Sequence, residues 1–565
     1  MNSPADPRSH VPVRIPRRAA ARAGVYALVL LVGFLTGCAV EPPQEGENGQ
    51  RKRRIIFNGD SAVLMHPGAS TVEGFLTPRL EALPGTPVTT ISWSILAGDA
   101  PSYDSRVQPI YGDGQQLDRP DYMNTYAANL RALVDAGTCP LKIVNDFAHE
   151  HGMEAFASVR MNDVHDSFVE GHLSRWKLDH REFLVSTRGL QTAIAEPAFP
   201  GSRVANLYAT ALDFTHQVVR DRKFEIIEEV CLRYDLDGVE LDFIRHPVLF
   251  KSIFEGGTIT PEQVSLMTAF IRRVRGRMDE IGKERGRPFL LAVRTPDNLE
   301  LSLGIGLDLE SWMREGLVDM LILGGGYAHF SLPVAKMAEA AHAYGVPLYP
   351  CINNPGQLMD GKGVEMTRAL ATKWYAGGAD GIYFWNLTAP WEQIRDEARW
   401  RALRKRVYAC LDDIDDPKAL EGTEKVYSAA EEVWFPYAFI SSGGHLPARL
   451  EPGGQTRFPI VIGDDVPRLE EEGRLGGAEL TLELEGAPQA LEQLAVRVNG
   501  SALGGGRLLA PEAETDPIRI AFALPASALE QCENLVEAGL GESSPDRELT
   551  LTKARLRLVS GEPSP

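Results

Sequence analysis

The sequence has few cysteines, and their arrangement predicts no metal or redox site. Only six of the 565 residues are cysteine, and they are widely scattered. No Cys-x-x-Cys or Cys/His spacing typical of zinc sites occurs. The chain also lacks a His-Glu-x-x-His motif, and no glycine-rich phosphate loop follows its first predicted strand. We therefore expect no metal, no nucleotide and no other cofactor.

Positive charge is also scarce. The chain has 58 Lys and Arg against 77 Asp and Glu, a formal net charge of −19. This balance argues against nucleic acid and anionic lipid as polyanionic partners. The hydrophobic content of 44% is ordinary for a globular protein, and the length suits two or three domains.

The apolar run near the N-terminus is too short for a comfortable membrane span. Residues 25–35 follow several arginines and lead into Leu35-Thr36-Gly37-Cys38. This order resembles a bacterial lipobox, which implies that residues 1–38 are a signal peptide and that Cys38 is acylated. Ala39, rather than Asp, implies outer-membrane sorting in the cell envelope, and residues 39–53 resemble a flexible linker. The alternative is an ordinary signal peptide or an uncleaved anchor.

Strand and helix patterns alternate through the middle of the chain. Apolar runs occur at 55–65, 88–95, 153–160, 237–243, 288–294, 318–323, 346–352 and 380–385. Helical patterns separate them, so residues 54–410 predict an α/β domain, a (β/α)8 TIM barrel. A doubly wound open sheet is the alternative. Beyond residue 411 the alternation becomes that of half-exposed strands, as in 478–484, which predicts a jelly-roll-like β-sandwich over 411–565.

The most informative stretch is Asp237-Gly238-Val239-Glu240-Leu241-Asp242-Phe243-Ile244-Arg245-His246-Pro247. Side chains alternate along a strand, so the three apolar residues face one side and the acidic pair the other. Burying two carboxylates without partners is costly. In a barrel the usual reason is an active site at the carboxyl ends of the strands.

Polar or aromatic side chains follow six successive predicted strands, which predicts a functional pocket. They are Arg160, Asn162, Asp163, His165 and Asp166 after the third; Glu240, Asp242, Arg245 and His246 on the fourth; Arg294 and Asp297 on the fifth; and Tyr327, Asn353, Trp385 and Asn386 on the last three.

Two of these stretches carry a resemblance. Residues 159–163 and 237–245 resemble the putative glycosyl hydrolases similar to family 10, which are barrel proteins, and the likeness covers most of 54–410. The fourth strand is also similar to that of the α-amylase superfamily. Asp242 falls on the nucleophile position and His246 on a histidine, but Glu240 stands where that superfamily has arginine. The resemblance implies a glycosidase acting on a poly- or oligosaccharide.

Glycoside cleavage needs two carboxyl groups that flank the bond. We expect Asp242 to be the nucleophile or base, and Asp297 or Asp163 to be the general acid. Glu240 is either catalytic or a buried partner of Arg160 or Arg294. The other strand-end residues would bind substrate: Arg160, Asn162, His165, Asp166, Arg245, His246, Arg294, Tyr327, Asn353, Trp385 and Asn386.

Two other functions stay open from the sequence. A surface glycan-binding lipoprotein with a degenerate barrel would bind sugar without cleaving it. A metal-dependent hydrolase would use an O/N site built from Asp163, His165, Asp166, Asp242 and His246. The β-sandwich would either bind glycan or support the barrel.

Overall fold

Eight parallel strands close into a barrel in chain order, as predicted. The computed structural model describes residues 53–113, 121–167, 173–186, 195–199, 202–327, 329–353, 363–389, 396–511, 517–542 and 548–561. The barrel strands are β1 Arg54–Gly59, β2 Val88–Ser94, β3 Glu154–Arg160, β4 Gly238–Asp242, β5 Leu290–Thr295, β6 Met320–Leu323, β7 Leu348–Asn353 and β8 Gly381–Trp385. Strand β8 pairs with β1 and completes the closure.

Helices lie between the strands and after them. They are α1 Val72–Leu76, α2 Asp121–Asp135, α3 Pro140–Glu150, α4 Arg175–Asp179, α5 Gln217–Arg233, α6 Lys251–Phe254, α7 Pro261–Arg285, α8 Leu299–Gly304, α9 Leu309–Arg314, α10 Val334–His342, α11 Gly363–Ala376, α12 Glu397–Tyr408, α13 Pro417–Leu420, α14 Phe435–Ala438 and α15 Val466–Glu471. The sequence patterns did not predict α3 as a separate helix. It begins at Pro140, and at the first position of a helix the missing N–H of proline costs no hydrogen bond.

The C-terminal part is an all-β sandwich, as predicted. Its strands are β9 Lys425–Ser428, β10 Ala448–Leu450, β11 Gln455–Ile462, β12 Leu475–Gly486, β13 Leu494–Val498, β14 Ser501–Leu503, β15 Arg507–Leu508, β16 Ile518–Leu524, β17 Cys532–Leu540 and β18 Leu549–Ser560. One sheet has the order β9-β18-β12-β16-β15 with β10 also on β18, and the other has the order β11-β17-β13-β14. Alternate residues of β12 are buried between them, which explains the period-two pattern.

The sandwich packs directly against the barrel. Gly463, just after β11, lies so close to α11 that a Cβ there would meet the backbone of Thr372 and Lys373 at 2.6 Å. Residues 52–565 form one compact unit, and the predicted domain boundary at residue 411 stays a prediction. The predicted lipid attachment at Cys38 lies outside the described residues. Within those residues, no helix is long and apolar enough to cross a bilayer.

Aspartates fix the amino-terminal face of the barrel. Asp237, Asp319 and Asp380 directly precede β4, β6 and β8, and each accepts a backbone N–H from the first or second residue of the preceding strand, at 2.9, 2.7 and 2.9 Å. Unpaired buried N–H groups are costly, so these carboxylates stabilise the strand ends. This role explains the aspartate of the Asp237-Gly238 pair.

The glycine of that pair has a steric explanation. A Cβ at Gly238 would lie 2.6 Å from the Leu290 carbonyl oxygen and from the Phe156 ring inside the barrel. We predict that Gly238→Ala lowers the free energy of unfolding by about 1–3 kcal/mol, because overpacking forces neighbours to move. Urea denaturation measures the change.

The matched control is Gly276→Ala in α7, where nothing lies within 4 Å of the added methyl group. Alanine there should stabilise the protein by about 0.5–1 kcal/mol. Equal effects at the two positions would contradict the steric explanation.

Candidate functional site

The acidic pair of β4 lies inside the barrel at two depths. Glu240 is fully buried and accepts a hydrogen bond from the Ser92 hydroxyl on β2. The Tyr383 hydroxyl on β8 lies 2.9 and 3.0 Å from the two carboxylate oxygens of Glu240 and donates to them. Among the described residues neither Arg160 nor Arg294 lies within ion-pair distance of Glu240, although the charge of Arg294 still lowers the pKa of Glu240 through space. Burial raises the pKa of Glu240 to about 7, and the nearby Asp242 carboxylate adds to the rise.

Asp242 lies at the tip of β4 and is held on both oxygens. Its Oδ1 accepts the backbone N–H groups of Ile244 and Arg245, both at 2.9 Å. Its Oδ2 lies 3.3 Å from Nη1 of Arg294 on β5, in an ion pair that is almost fully buried. Arg294 also donates to the carbonyls of Gly324 and Gly325, so it ties β4, β5 and the loop after β6 together.

A second charged cluster joins the ends of β1, β3 and β8. Arg160 donates to Asp163 at 3.0 Å and to Asp60 at 3.1 Å. Asp60 also accepts from Arg79 and from the Asn386 side chain, whose backbone adopts a positive φ of 51°. Although burial opposes it, Arg79 and Arg160 hold the pKa of Asp60 well below its usual range.

Asp60 was not among the predicted site residues, although it is a polar group that follows a barrel strand. The apolar run over 55–65 predicted a longer strand than the one that forms, so Asp60 was placed within β1. The strand ends at Gly59, and Asp60 begins the loop at the carboxyl face. The rule that identified the other strand-end residues would have identified it with the correct strand end.

Asp163 is enclosed by cations and histidines. Its Oδ1 accepts from the backbone N–H and from Nδ1 of His165, at 2.9 and 2.6 Å, and its carboxylate pairs with Arg160. Burial alone would raise its pKa, but His165 and Arg160 hold the pKa of Asp163 well below its usual range. His246, whose φ is 67°, accepts the backbone N–H of Val164 at its Nδ1.

Asp163, His165 and His246 are close enough to hold a metal ion, since one candidate ligand atom from each lies within 4.8 Å of the others. However, Nδ1 of His246 already accepts from Val164, and the Asp163 carboxylate already binds Arg160 and His165. The donor set is satisfied by protein groups, so the geometry favours a hydrogen-bonded network over a cation site.

Two of the predicted substrate-binding residues hold loops together. Asn162 accepts from the Leu212 backbone N–H and donates to the carbonyls of Leu212 and Val248. Asp166 is fully buried and binds Nζ of Lys177 at 2.8 Å and the Thr210 hydroxyl at 2.6 Å. Burial raises the pKa of Asp166 to about 7 against the opposing effect of Lys177.

Asp297 is buried beneath the chain that follows the barrel. Residues 434–442, which we call the crossing segment, pass over the carboxyl face of the strands. The Ser442 backbone N–H donates to Asp297 Oδ2 at 2.6 Å, and the Tyr208 hydroxyl donates to the Pro436 carbonyl at 2.6 Å. Burial raises the pKa of Asp297 to about 7, against the lowering effect of the Ser442 hydrogen bond.

A series of aromatic rings runs from the surface into the mouth of the barrel. Trp434 is 55% exposed and lies 5.8 Å from Tyr437. Tyr437 stacks on Tyr327 at 4.2 Å, and Tyr327 meets Trp385 edge-on at 6.1 Å. The two tyrosine hydroxyls both accept from Arg245. Nothing in the sequence near residues 434–437 pointed to the barrel, because the contact is made across more than a hundred residues.

A cavity of about 300 Å³ opens beside the charged clusters. Asp60, Arg160, His165 and Asp166 line its polar side, and Met65, Leu96, Tyr111, Tyr122, Met123 and Tyr126 contribute to its apolar side. Ligand sites commonly combine apolar walls with a few convergent polar groups. On the opposite side of the mouth, Asn353 is buried and its backbone N–H donates to Nε2 of His329.

The strand-end carboxyl groups therefore differ in ionisation. Glu240, Asp166 and Asp297 have pKa values raised to about 7 by burial, while Asp60 and Asp163 are held ionised by neighbouring cations. Carboxyl groups whose pKa values are shifted in opposite directions are common in sites of acid–base catalysis. The catalytic and binding roles given to the individual residues stay predictions.

No protein-family model and no curated protein matches the sequence. Solved structures with similar folds include an α-amylase from Anoxybacillus (13% identity, TM-score 0.38, covering 86% of this chain and 98% of that one). They also include an α-galactosidase from Geobacillus stearothermophilus (12% identity, TM-score 0.32, covering 90% of this chain and 56% of that one). A third is the galactosidase domain of an α-galactosidase–sucrose kinase (10% identity, TM-score 0.32, covering 84% of this chain and 55% of that one). The chain spans about half the length of these two galactosidase structures. With TM-scores this low, the function has to be inferred from the geometry of the site.

Asp297 predicts a specific pH dependence of stability. In the unfolded chain its pKa is near the ordinary 3.8, and in the folded protein it is about 7. The stability that the protonated group contributes is therefore complete below about pH 4 and is lost as the pH rises through about 7. Asp297→Asn should remove this pH-dependent loss of stability. The free energy of unfolding of the variant, relative to that of wild type, should therefore rise by on the order of a few kcal/mol between about pH 4 and 8.

The measurement is urea denaturation of wild type and variant across that pH range. Asparagine keeps an acceptor for the Ser442 N–H, so the comparison isolates the charge. Parallel curves for the two proteins would show that Asp297 ionises normally in the folded state.

Proposed function

We propose that the protein is a glycoside hydrolase that cleaves a poly- or oligosaccharide with two carboxyl groups at the carboxyl face of the barrel. The observation that carries the proposal is that carboxyl groups within one mouth have different surroundings: Asp242 contacts Arg294 and two backbone N–H groups, whereas Asp297 accepts one backbone N–H group. Glycoside cleavage needs one carboxyl group that holds a proton and another that is ionised. A buried salt-bridge network alone has no need for protonated carboxyl groups at neutral pH.

Asp242 is the proposed nucleophile or base. The ion pair with Arg294 and the two backbone N–H groups fix the orientation of its carboxyl group. Glu240 lies deeper on the same strand and is bound by Ser92 and Tyr383, which suits a supporting role beneath Asp242.

Asp297 is a better candidate for the general acid than Asp163. A general acid has to hold a proton near the working pH, and a pKa of about 7 meets that need. Asp163 is held ionised by His165 and Arg160, and both of its oxygens are engaged. This electrostatic difference separates two candidates that the sequence left equal.

The cavity and the ring series support a carbohydrate substrate. Tyr111, Tyr122 and Tyr126 line the apolar side of the cavity, and Trp434, Tyr437 and Tyr327 form the ring series. Sugar rings combine apolar faces with hydroxyl groups that need hydrogen-bond partners. Asp60, Arg160 and His165 offer such partners on the other wall.

The finer sequence-based assignments stay part of the proposal. Membership of the family-10-like hydrolases depends on the strand-three and strand-four motifs. Attachment to the cell envelope, including the outer membrane, depends on the lipobox-like residues before Cys38.

One observation favours non-catalytic glycan binding as a second candidate. Asp163, Asp242 and Asp297 are each 1% exposed or less, so a substrate cannot reach them without further opening of the mouth. A protein that only binds sugar would use the cavity near Asp60 and leave the buried carboxyl groups as structural partners.

We predict that Asp242→Asn abolishes hydrolysis while the fold is retained, because asparagine can replace the hydrogen bonds but cannot attack or act as a base. Release of reducing ends from a panel of polysaccharides by wild type and variant measures this. The control is Asp319→Asn at the opposite face of the barrel, which should leave the rate unchanged. Binding of a polysaccharide by a wild type that cleaves none of the panel would favour the binding protein.

The general acid is identified by the pH dependence of kcat/KM. The wild-type value should fall above about pH 7, as Asp297 loses its proton. Asp297→Asn should lower the rate by about 10²–10⁴-fold and remove this alkaline fall. Aryl glycosides with good leaving groups should restore much of the rate, since they need little protonation. If Asp163→Asn shows this pattern instead, Asp163 is the acid.

A further inference from the structure

Arg245 is a half-buried cation, and no carboxylate among the residues that the structure describes forms an ion pair with it. Its Nη1 donates to the hydroxyls of Tyr327 at 3.2 Å and Tyr437 at 2.5 Å, and its Nη2 lies 2.7 Å from Nε2 of His165. The Nδ1 of His165 donates to Asp163, so its Nε2 is the acceptor in a neutral ring. All three partners of the guanidinium are therefore neutral groups.

The other arginines of the mouth are different. Arg79 pairs with Asp60, Arg160 pairs with Asp60 and Asp163, and Arg294 pairs with Asp242. Asp60 and Asp163 also act on Arg245 through space, but no carboxylate in the described part of the chain is within ion-pair distance of it. Buried charges are normally paired, so an unpaired guanidinium in a mouth is an incomplete interaction.

The guanidinium also retains donors. It has five N–H groups, of which the three contacts above use three. The Nε–H is buried and has no acceptor in the described ranges of the chain, and one hydrogen of Nη2 is left over. A carboxylate or sulfate oxygen pair is the kind of acceptor that an arginine binds with two parallel hydrogen bonds.

The surroundings of Arg245 suit a sugar. The guanidinium carbon lies 5.3 Å from the centre of the Trp385 ring, and Tyr327 lies beside that ring. Arg294, which pairs with the proposed nucleophile Asp242, lies 4.9 Å from the centre of the same Trp385 ring, so the Arg245 guanidinium and the cation that binds Asp242 contact one aromatic side chain.

We propose that Arg245 binds the anionic substituent of an acidic sugar, a uronate carboxylate or a sulfate ester, next to Asp242. This inference rests on the proposed function and specifies its substrate class. The net charge of −19 opposes long polyanions over the whole surface. A single guanidinium in the mouth acts locally, so the site selects an acidic residue within an otherwise weakly charged glycan.

The test compares binding of matched sugars to the full chain by isothermal titration or ligand-observed NMR. The probes are glucuronate and galacturonate against glucose and galactose, with glucose 6-sulfate to distinguish a sulfate from a carboxylate site. Wild type should bind at least one anionic sugar about 10-fold or more tightly than its neutral match, since hydrogen bonds to charged groups contribute about 1.5–3 kcal/mol.

Three variants separate charge from structure. Arg245→Gln should abolish the preference, so that the anionic and the neutral sugar of each matched pair bind equally, whereas Arg245→Lys should retain part of the preference because the charge remains. Arg272→Gln, on the outer surface where Arg272 pairs with Glu315, should behave as wild type. A preference that persists in Arg245→Gln overturns the proposal.

The affinities of wild type for the anionic and neutral sugars test the proposal even if a variant fails to fold. Equal affinity of wild type for the anionic and neutral sugars, or binding of neither, overturns the anionic site. The readout is independent of hydrolysis. Cleavage of neutral glycans without any anionic preference would keep the glycosidase and remove this inference. Anionic preference without cleavage would keep the site on a binding protein.

Discussion

The mouth of this barrel depends on one constraint. The charged side chains at the carboxyl ends of the strands are buried, and each of them needs a partner. Removing one partner of a buried ion pair is strongly destabilising, so each buried group fixes the positions of its neighbours. Arg160 bridges Asp60 and Asp163 and so joins the ends of β1 and β3. Arg294 does the same for β4, β5 and the loop after β6. Of these groups, Asp60 and Arg160 also line the cavity.

The same constraint explains why the carboxyl groups differ in ionisation. A carboxyl group beside a guanidinium keeps its charge, while one surrounded by neutral donors keeps its proton. Asp163 has Arg160 at 3.0 Å, but Asp297 has only a backbone amide from the crossing segment. The difference between these two carboxyl groups follows from the placement of Arg160.

The parts of the molecule that depend on local patterns were predictable from the sequence. The eight barrel strands are buried on both faces, so they stand out as apolar runs, and β12 shows its alternation because its two faces differ. The strand-end residues gather because parallel strands share one carboxyl edge. Partners across the barrel depend on its stagger, which local patterns do not carry. From the sequence, Glu240 was either catalytic or a partner of an arginine, and its hydrogen bonds from Ser92 and Tyr383, on strands β2 and β8, could not be predicted.

Contacts made by the crossing segment have a consequence for how the protein is made. A chain leaves the ribosome from its N-terminus, so all eight barrel strands emerge before residue 434. Asp297 has no Ser442 amide, and Arg245 no Tyr437 hydroxyl, until the segment after the barrel has been translated. The barrel can close earlier, but its mouth reaches its final state only when the downstream chain folds back over it. The completed mouth therefore depends on residues that are translated after the barrel.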